Sequence, residues 1–111
     1  MGARHSRLDV DTICSLLGHE YRRRILRYLD TGGLMTTDEL AQQLRGDIQE
    51  PGGTEMVRVY LFHTHLPKLA DAGVIQYVDD SEMVAITRTG RQLLSYLDEL
   101  ETDSASRTVR V

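Results

Sequence analysis

The chain has 111 residues, 41% of them hydrophobic, with 13 basic and 17 acidic side chains and a formal net charge of −4. That length supports one domain with one core, and no apolar run approaches the roughly 20 residues of a membrane span. A single cysteine, Cys14, excludes an intrachain disulfide, and the opening "MGARHSRLDV" lacks the apolar stretch of a secretory signal, so a cytoplasmic location is expected.

Residues 1–8 and 102–111 show no periodicity and are expected as flexible tails on a domain at 9–101. Asp9 or Asp11 can cap a short helix that carries Ile13, Leu16 and Leu17 and ends at Gly18. Cys14 lies on this apolar helix and is expected to be buried and unreactive. In "HEYRRRILRYLD" the spacing of Tyr21, Ile25 and Leu29, with Leu26 and Tyr28 beside them, predicts a second helix, stopped by "TGG". Arg22, Arg23 and Arg24 fan over about 200° of it. With Arg27 they are expected in solvent or paired with Glu20.

"TTDELAQQL" opens with a capping box, Thr36 and Glu39, and places Leu40, Ala41 and Leu44 on one face. Gly46, Pro51, Gly52 and Gly53 then break the helix for about ten residues. A further helix is predicted from about Thr54 to Ala72. At about 100° per residue, Val59, Phe62, Leu66 and Leu69 form its core side, while Tyr60, Thr64, Lys68 and Asp71 form an outer side. Pro67 removes a hydrogen bond and presses on the carbonyl of His63, so a kink is expected there. His63 and His65 point about 200° apart and cannot share an ion. His5, His19 and Cys14 belong to other elements, so neither a metal nor any other cofactor is expected.

"VIQYV" and "MVAIT", separated by "DDSE", read as a hairpin, and a short strand at 34–36 can pair with it. The last helix, in "TGRQLLSYLDELE", repeats Leu93, Leu97 and Leu100 with Leu94 alongside. That stripe is wider than one core face needs. With Ile13 and Leu16 of the first helix, Leu93, Tyr96, Leu97 and Leu100 are expected to form a homodimer interface. The order of elements describes a mainly α fold with a small β-hairpin wing, a winged helix-turn-helix.

"LLGHEYRRRILRYL" resembles the opening helices of ArsR-like winged-helix repressors, "TTDELAQQL" the first helix of their helix-turn-helix, and "HLPKLADAGVIQY" the end of their recognition helix running into the wing. The skeleton is most similar to a haloarchaeal family of winged-helix domains of unassigned function, over roughly residues 11–100. Composition agrees with such a source, since 12 of the 13 basic residues are Arg, only Lys68 is lysine, and 10 of the acidic residues are Asp. Two departures stand out. The expected loop of about ten residues exceeds the usual 3–4, and the paired-cysteine box of the metal-sensing members is absent.

The resemblance implies a homodimeric regulator of transcription that binds double-stranded DNA. Its recognition helix would read bases with Tyr60, Leu61, His63 and Thr64 and hold phosphates with Arg58 and Lys68. Thr36 and Thr37 at the start of the preceding helix, and Arg88 and Arg91 at the wing base, complete the expected contact set. Three features oppose this reading: net acidity, because phosphate neutralisation normally supplies affinity, the acidic "DDSE" at the wing tip, and an outer helix face unusually apolar for a recognition helix, with Val57, Tyr60 and Leu61. They favour the alternative, a winged-helix protein-interaction module without DNA binding. No Gly-rich phosphate loop and no nucleophile–base pair at motif spacing is present, so no enzyme is expected.

Overall fold

A computed structural model of the chain describes residues 8–79 and 81–110. Helix α1, Val10–Leu17, starts where Asp9 accepts a 2.7 Å hydrogen bond from the Thr12 N–H. It ends at Gly18, where an added Cβ would stand 2.9 Å from the Cys14 carbonyl oxygen. Helix α2, Glu20–Gly32, has a histidine cap: Nδ1 of His19 accepts from the Tyr21 N–H at 3.1 Å. It closes on Gly33, whose φ of 75° favours glycine.

Strand β1, Met35–Thr36, leads directly into α3, Thr37–Asp47. The expected capping box is formed: Thr36 N–H donates to Glu39 at 2.8 Å, and Glu39 N–H donates to Thr36 Oγ1 at 3.0 Å. Helix α3 passes through Gly46, so the connection to the next helix is residues 48–52, shorter than the glycines led one to expect. Two tyrosines of α2 hold this stretch. Tyr28 donates to Asp47 at 2.5 Å, and Tyr21 donates to Glu50.

Residues 53–71 form one helical rod with a wide middle: α4, Gly53–Tyr60; a π-helical turn, Leu61–His65; and α5, Leu66–Asp71. Strands β2, Ile75–Tyr77, and β3, Met83–Ile86, make the expected hairpin. The sheet is antiparallel in the order β1–β3–β2, with Met35 opposite Val84 and Gln76 opposite Ala85. Helix α6, Arg88–Arg110, follows. It continues over most of the segment expected as a C-terminal tail. The N-terminal tail, apart from Leu8, lies outside the described residues.

The core forms where the helices meet the sheet. Ile25, Leu26 and Leu29 of α2 are fully buried at its centre, together with Leu40, Leu44, Leu61, Leu66, Leu69, Val84 and Leu93. Thr87 joins three elements. Its hydroxyl donates to the Gly73 carbonyl at 2.6 Å and accepts from the Gly90 N–H at 3.1 Å, which caps α6 and ties the end of α5 to it. No helix among the described residues is long and apolar enough to cross a membrane.

Gly90 is the tightest point of this junction. A Cβ there would stand 2.2 Å from the Val74 carbonyl oxygen and 2.6 Å from Ile86 Cγ1. In an open helix Gly→Ala stabilises by about 0.5–1 kcal/mol. The expected outcome for Gly90→Ala is the reverse, a loss of about 1–3 kcal/mol from overpacking, read as a lower urea midpoint. A stabilised Gly90→Ala would refute the close approach.

Candidate functional site

The rod of residues 53–71 is the element that presents a long unpaired face, and its wide turn decides which residues occupy that face. Leu66 donates its N–H to the carbonyl of Leu61, five residues back. Val57, Leu61, Leu66 and Leu69 are all fully buried. Leu61 and Leu66 share a line because the turn between them holds an extra residue. The expected core face is therefore corrected in its first half. Val59 and Phe62 are exposed, at 41% and 44%, while Leu61, expected to touch DNA, is at 0%. A uniform wheel drawn back from Leu66 and Leu69 through a π turn lands about one residue off.

Pro67 stands at the far edge of that turn. It has no N–H to place, and its ring crowds the carbonyl four residues back in a regular helix. Widening the turn in front of it relieves that contact while keeping the rod continuous. The wide turn stands directly before the position of the expected kink.

His65, the last residue of the turn, points inward and is only 3% exposed. Its Nδ1 lies 3.1 Å from Nη1 of Arg22, itself 8% exposed. Arg22 also donates through Nε to the Leu16 carbonyl at 3.1 Å and through Nη2 to the Ser15 carbonyl at 2.6 Å. The His19 and Tyr21 rings pack on His65, with centroids 4.4 and 5.0 Å away. Burial pushes the His65 imidazole down to about 4, and His19, Arg22 and Lys68 add to the effect by charge. Burial first, then the bond to Glu50, raises the Tyr21 phenol.

This arrangement corrects the expected arginine run. Arg22 is buried, and Arg23 donates to the Leu17 carbonyl at 2.6 Å, so both satisfy the end of α1. Arg24 does pair with Glu20, at 2.9 Å. Arg27 reaches Asp98 of α6 at 3.0 Å and also Glu101. The sequence pattern drew attention to Arg22 within its run and to His65 beside His63, but not to their burial or their contact with each other. The legible signal was a step of five between apolar residues, Leu61 to Leu66, immediately before a proline.

The outer face now consists of Val59, Tyr60, Phe62, His63, Thr64 and Lys68, all exposed. Tyr60 also meets Tyr21 edge-on at 6.2 Å. Arg58, expected on phosphate, is held by Asp38 at 2.7 Å, and its Nε is enclosed without a partner among the described residues. Thr36 is occupied as a cap. Thr37 is buried and donates to Glu82 of the β2–β3 turn at 3.3 Å, so it is not available for contact with an outside partner. Arg88 is exposed, and Arg91 is exposed 3.7 Å from Asp30. In the acidic turn between β2 and β3, expected as the wing tip, Asp79 and Glu82 are exposed, and Asp80 lies outside the described residues.

The expected dimer face divides as well. Leu16, Leu93 and Leu97 are buried in the chain's own core, because α1 and α6 each pack their apolar stripe against α2. They have no surface left for a second copy. Ile13 is half-buried, and Tyr96 and Leu100 are exposed at 52% and 56%. Cys14, expected to be buried, is exposed. No three His, Cys, Asp or Glu side chains among the described residues are grouped to hold a metal, and His5 lies outside those residues.

A family model described as a domain of unknown function (DUF7344) matches residues 14–85. No curated protein and no solved structure matches the chain.

The buried imidazole gives a pH dependence of known sign. The folded value of His65 lies below the usual histidine value of about 6.5, so the unfolded chain binds the extra proton first. The stability it contributes is fully present above about 6.5 and is lost as pH falls towards about 4. Urea titrations should show up to about 3 kcal/mol of this loss in the parent and much less in His65→Asn. Equal slopes for the two chains in this window would exclude His65 as the source.

Proposed function

The chain belongs to the family described as a domain of unknown function (DUF7344), and we propose that it is a winged-helix regulator of transcription that binds double-stranded DNA as a homodimer. The observation that carries this reading is the rod of residues 53–71. It directs Tyr60, Phe62, His63, Thr64 and Lys68 outward, in a chain that also has a small three-stranded antiparallel sheet, read here as the wing. His63 and Thr64 exchange hydrogen bonds with base edges in the major groove, and Phe62 and Val59 pack on thymine methyls. Lys68 and Arg88 contact phosphates. The dimer sits on two half-sites and blocks or guides the transcription machinery, in the manner of ArsR-like regulators. Tyr96 and Leu100, with Ile13, form the contact between copies. The scarcity of lysine beside abundant aspartate is what supports a haloarchaeal source, and a cytoplasmic location is proposed with it.

A second reading, a protein-interaction module, is favoured by one observation: Val59, Tyr60 and Phe62 make the upper part of this face apolar, while Arg58 is already paired with Asp38. Genome-wide recovery of DNA bound to the tagged protein, set beside co-purified partners, separates the two.

Thr64→Ala is expected to weaken discrimination between operator and non-operator by about 1–3 kcal/mol. Lys68→Ala should weaken binding to all sequences and reduce the salt slope by about one. If both bind like the parent, this face is not the reader. In multimolar salt the Debye length is about 3 Å or less, so short-range contacts must supply the affinity. Specific binding should then persist at about molar KCl with a slope much shallower than about −0.9 per phosphate. Collapse between tenth-molar and molar salt would favour the protein-interaction reading.

Light scattering of the parent should give about twice the chain mass of 12.6 kDa. The pair Tyr96→Glu and Leu100→Glu, which spares the core, should give the single mass. A parent that is monomeric at micromolar concentration would remove the dimer from the proposal.

A further inference from the structure

We infer that Arg22 and His65 are positioning residues for the reading face: their buried contact fixes the phase of the turn at Leu61–His65, so that Phe62, His63 and Thr64 point outward and Leu61 inward. The effect on DNA rests on the function proposed above; the effect on the helix does not.

Pro67 alone does not specify a π turn, because a kink or a fresh helical start would satisfy it equally. The selection must come from something that holds His65 in place. A guanidinium carries only donors, so the 3.1 Å contact requires Nδ1 of His65 to accept and the ring to be neutral, with its proton on Nε2. Arg22 is in turn fixed by two carbonyls at the end of α1, those of Ser15 and Leu16. The anchor therefore sits where α1 meets α2, outside the rod. Without it, a regular turn would rotate the part of the rod before His65 by about 100° and exchange Leu61 for a neighbour at the surface.

The groups around His65 show how the anchor releases. Arg22, Tyr21 and His19 face it from α2 and its cap, and Lys68 lies on its own rod. Glu50, in the loop after α3, is held by the Tyr21 hydroxyl. Glu20 and Arg23 flank His19. From α1 come only the carbonyls that hold Arg22. A proton on His65 removes the acceptor and sets a second cation against Arg22, with His19 and Lys68 of the same sign.

Two variants and one spectroscopic measurement test this. His65→Asn places an amide oxygen where Nδ1 stands; His65→Leu fills the volume without an acceptor. In the unaltered protein, ring nitrogen shifts at neutral pH should report an unprotonated Nδ1 and a protonated Nε2. His65→Leu should speed amide exchange over residues 62–66 by at least about tenfold, leaving the α2 core amides unchanged, and should lower operator affinity by a similar factor. His65→Asn should stay within about threefold of the parent in both. On acidification below about pH 6, exchange at these amides should rise in the parent relative to His65→Asn at each pH.

A proton on Nδ1, or a parental exchange pattern in His65→Leu, overturns the inference whatever happens with DNA. If His65→Leu does not fold, the ring shifts and the pH comparison with His65→Asn decide. If exchange responds as stated but no DNA is bound by any chain, the positioning role stands and the DNA-binding function falls.

Discussion

A proline four residues from the end of a helix that must not break is the constraint around which this fold is arranged. The rod of residues 53–71 has to be continuous, because its first half supplies Val57 and Leu61 to the core and its second half supplies Leu66 and Leu69. A break would strand one half, and a sharp kink would pull one pair out of contact. The wide turn lets both halves keep their buried residues in line while leaving room for the Pro67 ring. Extra width in a helix exposes a short run of consecutive residues, Phe62, His63 and Thr64, between two inward anchors. The same adjustment that accommodates the proline thus creates the most chemically varied part of the surface.

The distribution of positive charge follows from how the helices are closed. Arg22 and Arg23 donate to the Ser15, Leu16 and Leu17 carbonyls at the end of α1, of which the cap N–H of Gly18 also reaches Ser15. Arg24, Arg27, Arg58 and Arg91 each face a carboxylate. The pairs are largely exposed, so each contributes little to stability, but together they leave few cations for an outside partner. Lys68 and Arg88 are exposed with no carboxylate within ion-pair distance among the described residues. A basic count taken from the sequence therefore overstates the charge that a polyanion would meet. Any affinity has to come chiefly from shape, apolar contact and hydrogen bonds.

Element order and caps were legible because they depend on local chemistry. Asp9, Gly18 and the Thr36–Glu39 box act within a turn of their own position, and the three-stranded sheet follows from alternating residues beside a turn. Orientation was legible only where the helix is regular. Leu66 and Leu69 lie as the wheel places them, and Thr64 and Lys68 are outside as expected. Before the wide turn the wheel fails by one residue and exchanges Leu61 with Phe62. Long-range choices were not legible at all. Nothing local distinguishes Arg22, which turns inward to α1, from Arg24, which turns outward to Glu20. Nor does the spacing of Leu93, Leu97 and Leu100 say how far along α6 the core extends; it stops after Leu97, leaving Leu100 exposed.

Helix α1 has only eight residues, well short of the about 12–15 that an isolated helix needs to persist in water. Fraying of its last turn would ordinarily be expected. Here the carbonyls of that turn are what surround the Arg22 guanidinium, which has no carboxylate beside it among the described residues. Melting α1 would leave a buried cation without compensation, a state far more costly than the few hydrogen bonds lost. The first helix is therefore bound into the same cooperative unit as the rod it never continues into. Its amides should open with the whole domain, as one foldon, and not by local unfolding at the chain's start.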